Sequence, residues 1–140
     1  MRIAIVLAAI AAAIAGCGGG GVDRRARAQE AVRVAASALD EARSSGGEDA
    51  SITQALDRSQ HWLEQTEQGV ELWGSSGSLA YETAAPCLAR SLSEVRAALT
   101  AAGREVPMSL EEAEALVLDE GVGRCATRSD PGSAAAPGSR

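Results

Sequence analysis

The chain has 140 residues, 46% of them apolar, and a formal net charge of −6. This length fits one domain, and the acidic balance argues against a nucleic-acid partner, because binding phosphates requires a basic surface. Phe is absent, Trp occurs twice and Tyr once. The core must therefore be built from Ala, Leu, Val and Ile, and the abundance of the helix formers Ala and Leu predicts an all-α domain.

The first segment has the features of an export signal rather than of a fold element. Residues 3–14 are uninterrupted apolar residues, and Arg2 precedes them. A helix that spans a bilayer needs about 20 apolar residues, whereas the apolar part of a signal peptide has roughly 7–15. We therefore predict that residues 1–16 are a signal peptide.

The apolar segment ends in Ile14, Ala15, Gly16 and Cys17, a branched apolar residue and two small residues followed by cysteine. This pattern resembles the lipobox of bacterial lipoproteins. The resemblance implies that the Cys17 sulfur is diacylated, that Cys17 becomes the N-terminus after cleavage behind Gly16, and that membrane lipid is a partner. Two or three acyl chains hold a protein on a bilayer where one chain does not. The alternative is ordinary cleavage behind Ala15, which leaves Cys17 as a free thiol.

By the same resemblance, the residue after the cysteine indicates which membrane holds the protein. An Asp at this position retains lipoproteins in the inner membrane, and here the residue is Gly18. We therefore expect the outer membrane, with the protein facing the periplasm. Residues 17–22 then form the lipidated cysteine and a flexible Gly-rich tether.

Two helices are predicted next, over residues 23–44 and 50–73. Asp23 can cap the first helix, and Asp49 or Ser51 the second. The residues that face the core recur in alternating steps of four and three in both segments. They are Ala28, Val32, Ala35, Leu39 and Ala42 in the first, and Ile52, Leu56, Ser59, Leu63, Thr66, Val70 and Trp73 in the second.

A third helix is predicted over residues 79–102, with Pro86 as an interruption. Proline removes one backbone hydrogen bond and clashes with the carbonyl four residues earlier. Two outcomes remain open: the helix bends at Pro86, or its regular part starts near Thr83.

A short fourth helix is predicted over residues 110–120. Ser109 and Glu112 match a capping box, and Met108 can pack against Ala113 as a hydrophobic staple. Short connections between the periodic segments predict an antiparallel three-helix bundle over residues 23–125, along which the fourth helix returns.

Residues 126–140 consist mainly of Ser, Gly, Ala, Pro and Arg. Such a composition buries too little apolar surface to compensate for the entropy of ordering the chain. We predict a disordered tail.

Once Cys17 is assigned to lipid, Cys87 and Cys125 remain. Two cysteines in an oxidising compartment predict one disulfide, which would pin the last segment onto the third helix. A metal site competes with this interpretation, but the chain has a single histidine, His61, and no C-x-x-C motif. We therefore expect no metal and no cofactor.

No residue pattern predicts catalysis. A catalytic nucleophile needs a neighbouring base. The only histidine is His61, and no serine lies in a G-x-S-x-G motif. Glu64, Glu67 and Glu71 share one helical face, which is typical of a solvated acidic surface. We expect no enzymatic activity and no catalytic residues.

One end of the bundle is the candidate functional surface. Arg24, Arg25 and Arg27 oppose the helix dipole at the start of the first helix, at a cost of about 0.3–1 kcal/mol per charge. They either face anionic headgroups or are simply solvated. Trp73 and Tyr81 flank the loop between the second and third helices, which the topology places at the same end. These rings either sit at headgroup level or close the end of the core.

Together these features predict a membrane-anchored periplasmic lipoprotein that acts as a non-catalytic binding or structural module of the cell envelope. Its envelope protein partner and its oligomeric state are not given by the sequence. One alternative is a small inhibitor or accessory subunit of an envelope enzyme. Another is an oligomeric structural coiled-coil lipoprotein.

Overall fold

The computed structural model describes residues 20–120 and 123–126. Four helices follow one another in this part of the chain: α1 (Gly20–Gly46), α2 (Ala50–Glu71), α3 (Leu79–Ala101) and α4 (Met108–Glu120). The described residues contain no strand beyond one isolated bridge. The all-α prediction is therefore confirmed. The predicted signal peptide, Cys17 and residues 127–140 lie outside the described residues.

The helices form an antiparallel bundle, as predicted. Each helix packs against its neighbour in the chain, and α4 packs against both α1 and α3. The starts of α1 and α3 meet at one end, where Arg24 lies 3.2 Å from Glu82. At the other end, the Ser109 hydroxyl at the start of α4 donates to Glu41 near the end of α1, at 2.8 Å.

The bundle therefore has two distinct ends. The proximal end comprises the first turns of α1 together with residues 71–82. The distal end comprises residues 46–50 and residues 102–109, which form the connections α1–α2 and α3–α4.

Five of the six core residues of α1 are alanines and the sixth is Leu39, whereas α2, α3 and α4 contribute mostly larger residues. Small residues on α1 allow its neighbours to approach closely, while Tyr81 is the largest fully buried side chain. Ser59 and Thr66, the two polar residues on the predicted stripe of α2, are buried as that pattern requires. The Thr66 hydroxyl donates to the Trp62 carbonyl at 2.6 Å, which satisfies its hydrogen bonding inside the core.

Two predicted helix starts need correction. Because α1 begins at Gly20, Asp23 lies in its first turn and is not the N-cap. Because α4 begins at Met108, Ser109 lies inside the helix, and its hydroxyl binds Glu41 instead of capping. Met108 is 90% exposed and forms no staple. The predicted capping box and staple of α4 are therefore wrong, whereas Asp49 caps α2 by accepting from Ser51 and Ile52.

The third helix begins at Leu79 and contains Pro86 in its interior, so the alternative of a start near Thr83 is wrong. Since proline has no N–H, the Glu82 carbonyl receives no helical hydrogen bond from position 86. The start of α3 is fixed by its N-cap residue Ser78, whose side chain accepts from the Tyr81 amide.

The predicted disulfide joins Cys87 on α3 to Cys125, with 4.6 Å between their Cα atoms. It crosses 38 positions of sequence and holds the segment 123–126 against α3. The bridge therefore pins the chain after α4 onto the bundle, as predicted from the cysteine count.

Candidate functional site

The turn between α2 and α3 is short and internally hydrogen bonded. Leu72 caps the end of α2, so α2 ends before Trp73, which lies in the turn. Gly74 and Gly77 exchange two backbone hydrogen bonds, of 3.0 and 3.2 Å, around Ser75 and Ser76. Gly77 has a φ of +101°, in the left-handed region that favours glycine. The turn is therefore closed by its own backbone.

One buried serine ties the two helices together below this turn. The Ser78 hydroxyl donates to the Gly69 carbonyl at 2.6 Å and accepts from the Tyr81 amide at 3.1 Å. It thus caps α3 and also satisfies a carbonyl in the last turns of α2. A Cβ at Gly69 would lie 2.4 Å from the Tyr81 nitrogen, so only glycine permits α3 to start so close to α2.

The structure brings three of the five predicted surface residues into one cluster. The Tyr81 side chain is completely buried, and the Trp73 ring packs edge-on against it at a centroid distance of 5.5 Å. The Arg24 guanidinium lies 5.7 Å from the centroid of the Trp73 ring and 3.2 Å from Glu82. Tyr81 therefore closes the end of the core, with the half-buried Trp73 and then Arg24 above it.

The remaining two predicted residues lie outside that cluster. Arg25 and Arg27 are exposed on the first turns of α1. Because α1 begins at Gly20, both arginines lie beyond its first turn, where the effect of the helix dipole has fallen off, so the expected opposition to the dipole is wrong. The fold still places this positive charge at the same end as the α2–α3 turn.

Sequence reasoning missed two leucines at this end. Leu72 is 71% exposed and Leu79 is 79% exposed, and they flank the turn on its two sides. Both lie off the predicted apolar stripes and next to a Gly- and Ser-rich loop. This placement is the sequence feature that could have identified them as exposed. Residues 72–81 carry no charged side chain, although 23% of the chain is charged.

A second candidate surface is a groove of about 490 Å³ between α3 and α4. Its lining includes apolar residues, the Cys125 end of the disulfide, and both basic and acidic side chains. The acidic side chains are engaged in ion pairs, Glu114 with Arg96 at 3.1 Å and Glu94 with Arg90 at 3.5 Å. The lining residues are Pro86, Ala89, Arg90, Ser93, Glu94, Glu114, Leu118, Gly123, Arg124 and Cys125.

The residues that the sequence analysis considered for catalysis or metal binding lie on exposed helix faces. His61 is exposed beside Trp62, with their rings edge-on at 5.1 Å. Glu64, Glu67 and Glu71 are exposed along α2. No group of three or more His, Cys, Asp or Glu suited to a metal ion occurs among the residues that the structure describes.

One carboxyl group has a shifted pKa. Hydrogen bonds from Arg33, one turn later on α1, lower the pKa of Glu30 below its usual range. Both side chains are exposed, so this is a helix surface pair and not a feature of either candidate surface.

Within residues 20–120 and 123–126, none of the helices combines the length and the apolar character needed to cross a bilayer. No protein family, curated protein or solved structure matches this chain.

Proposed function

We propose that this protein is a lipid-anchored lipoprotein of the bacterial cell envelope, facing the periplasm from the outer membrane, and that it acts as a non-catalytic binding or structural module. The observation that carries the proposal is the distribution of the three cysteines. Cys87 and Cys125 pair with each other, and Cys17 is left within the lipobox-like residues 14–17. Disulfides persist in oxidising compartments, which supports an exported protein.

The start of α1 supports an orientation for the anchored protein. Gly20, the first described residue of α1, follows Cys17 by three positions in the sequence. A fully extended chain spans at most about 3.6 Å per residue, so Cys17 lies within about 11 Å of the first residue of α1. Acyl chains on Cys17 would therefore hold the proximal end of the bundle close to the bilayer.

The groove between α3 and α4 is the surface we propose for an envelope protein partner. Its lining mixes apolar side chains with charged ones, a combination that also occurs in protein–protein interfaces. A module of this kind needs no reactive group, which suits the absence of a nucleophile–base motif in the sequence.

Mass spectrometry of the mature protein, purified from the membranes of a cell that expresses the full chain, tests the anchor. We expect a polypeptide that begins at Cys17 and carries the mass of two or three acyl chains, with Cys87 and Cys125 oxidised. The variant Cys17→Ser should remain uncleaved and should carry no acyl chain. An unmodified Cys17, or cleavage at another position, would refute the proposal.

A further inference from the structure

The two exposed leucines at the proximal end have no packing role in the bundle. Leu72 and Leu79 are 71% and 79% exposed, although the fold buries most of its other leucines almost completely. We propose that Leu72 and Leu79 insert into the bilayer surface and form a second, shallow membrane contact beside the lipid anchor. This inference rests on the proposed function, because the anchor places this end at the membrane.

The turn between these leucines can approach lipid at a low electrostatic cost. Residues 72–81 carry no charge, so no ionised group within them must lose water when the turn enters the headgroup region. Ser75 and Ser76, at the tip of the turn, are small and polar, which suits that region. The nearest acid that follows, Glu82, is neutralised by Arg24 at 3.2 Å.

The remaining charges at this end are of both signs. Asp23 and Glu71 are exposed and oppose an anionic surface, whereas the exposed Arg25 and Arg27 on α1 are attracted to it. Because the charges nearly balance, insertion of the leucines rather than electrostatic attraction should dominate the contact.

The backbone between the two leucines is fixed by hydrogen bonds to the bundle and within the turn. Ser78 ties the last turns of α2 to the first turn of α3, and the Gly74–Gly77 hydrogen bonds close the turn. Tyr81 fills the core directly beneath it. Since the free protein already has this geometry, little conformational entropy is lost on insertion.

The test uses the lipidated mature protein in vesicles of phosphatidylethanolamine and phosphatidylglycerol, some with brominated acyl chains that quench tryptophan fluorescence. Trp62→Phe leaves Trp73 as the reporter of the turn. Trp73→Phe leaves Trp62, which lies about 16 Å further along the α2 direction. We expect brominated lipid to quench Trp73 much more strongly than Trp62.

The decisive comparison is between two sets of variants in the Trp62→Phe background. Leu72→Ser together with Leu79→Ser should remove most of the quenching of Trp73. Met108→Ser is the matched control, because Met108 is a similarly exposed apolar residue at the distal end, and it should leave quenching unchanged. Equal quenching in both sets, or no quenching of Trp73 at all, would overturn the proposal.

Separate measurements distinguish this inference from the proposed function. The mass of the same sample reports whether Cys17 is acylated, independently of the quenching. Residues 18–140 contain every core residue that we describe, so this segment can be tested in vesicle flotation without acyl chains. There the double leucine variant should bind about a hundredfold more weakly than the parent. Equal binding, or a leucine-dependent dimer in sedimentation, would contradict insertion and in the latter case favour a second copy as the occupant.

Discussion

The two ends of the bundle solve the same packing problem in different ways. At the distal end, the connections carry the charged residues Glu48, Asp49, Arg104 and Glu105, and Asp49 caps α2. At the proximal end, the connection carries no charge at all, a buried serine makes the cap, and Tyr81 fills the space beneath. A helix connection in this bundle therefore does not require an uncharged, leucine-flanked turn.

This contrast is what the membrane contact proposed for the proximal end would produce. Loops that face water are ordinarily polar, and the distal end follows that rule apart from Met108. The proximal end combines exposed leucines with a rigid, uncharged turn, at the end where the chain emerges from the proposed lipid anchor. Substitutions in the core, the disulfide and the helix caps measure what each contributes to the stability of the two ends.

The largest effect is expected at the base of the proximal turn. Tyr81→Ala removes a completely buried aromatic side chain and its contact with Trp73, which should lower the free energy of unfolding by about 3–5 kcal/mol. Chemical denaturation followed by circular dichroism measures the change. Met108→Ala at the distal end, where the side chain is 90% exposed, should change it little. Similar values for the two variants would mean that Tyr81 isn't a core residue in solution.

Loss of the disulfide is expected to have the second-largest effect on stability. Replacing both Cys87 and Cys125 by Ala should cost about 3–4 kcal/mol of unfolding free energy, because the bridge closes a long loop in the unfolded chain. Thermal unfolding with and without a reducing agent measures it. Reduction should destabilise the wild type to about the level of the double variant and should leave the double variant unchanged. A wild type insensitive to reduction would show that the bridge contributes nothing to folding.

A smaller difference should separate the two helix caps. Ser78→Ala removes the cap of α3 and leaves the Gly69 carbonyl without its buried partner, for an expected loss of about 2 kcal/mol. Asp49→Ala removes an ordinary cap near the surface, for a loss of about 1 kcal/mol. Urea denaturation of the two variants in parallel makes the comparison. Equal losses would imply that water reaches the Gly69 carbonyl when the serine is removed.

The sequence predicted the helices best where the apolar pattern was strong. The alternating steps in α2 and α3 placed their bounds within two residues, and the predicted disulfide formed. The start of α1 was placed too late because Gly20 and Gly21 are poor helix formers, yet the helix includes them. The start of α4 was misplaced because Ser109 matched a local cap, whereas its actual partner, Glu41, lies on another helix.

The candidate surface was predicted in outline only. Topology placed Arg24, Trp73 and Tyr81 at one end, and the structure brings them together. Periodicity could not decide whether Tyr81 was buried, because a residue at the end of a stripe can close the core or leave it. Leu72 and Leu79 were missed because an apolar stripe selects residues that face inward, and these two face solvent.

The smallest predicted effect compares one arginine from each end. Arg24 is only partly exposed and contacts both Glu82 and the Trp73 ring, so Arg24→Gln should cost about 0.5–1 kcal/mol after screening by solvent. Arg43, near the distal end, pairs with Asp40 and Gln60 on the surface, and Arg43→Gln should cost less than about 0.5 kcal/mol. Denaturation at low and high salt separates them further, because added salt weakens an exposed ion pair more than ring contact or burial. If both variants lost the same small amount and responded alike to salt, the arginine at the proximal end would be as weakly held as one on an ordinary helix surface.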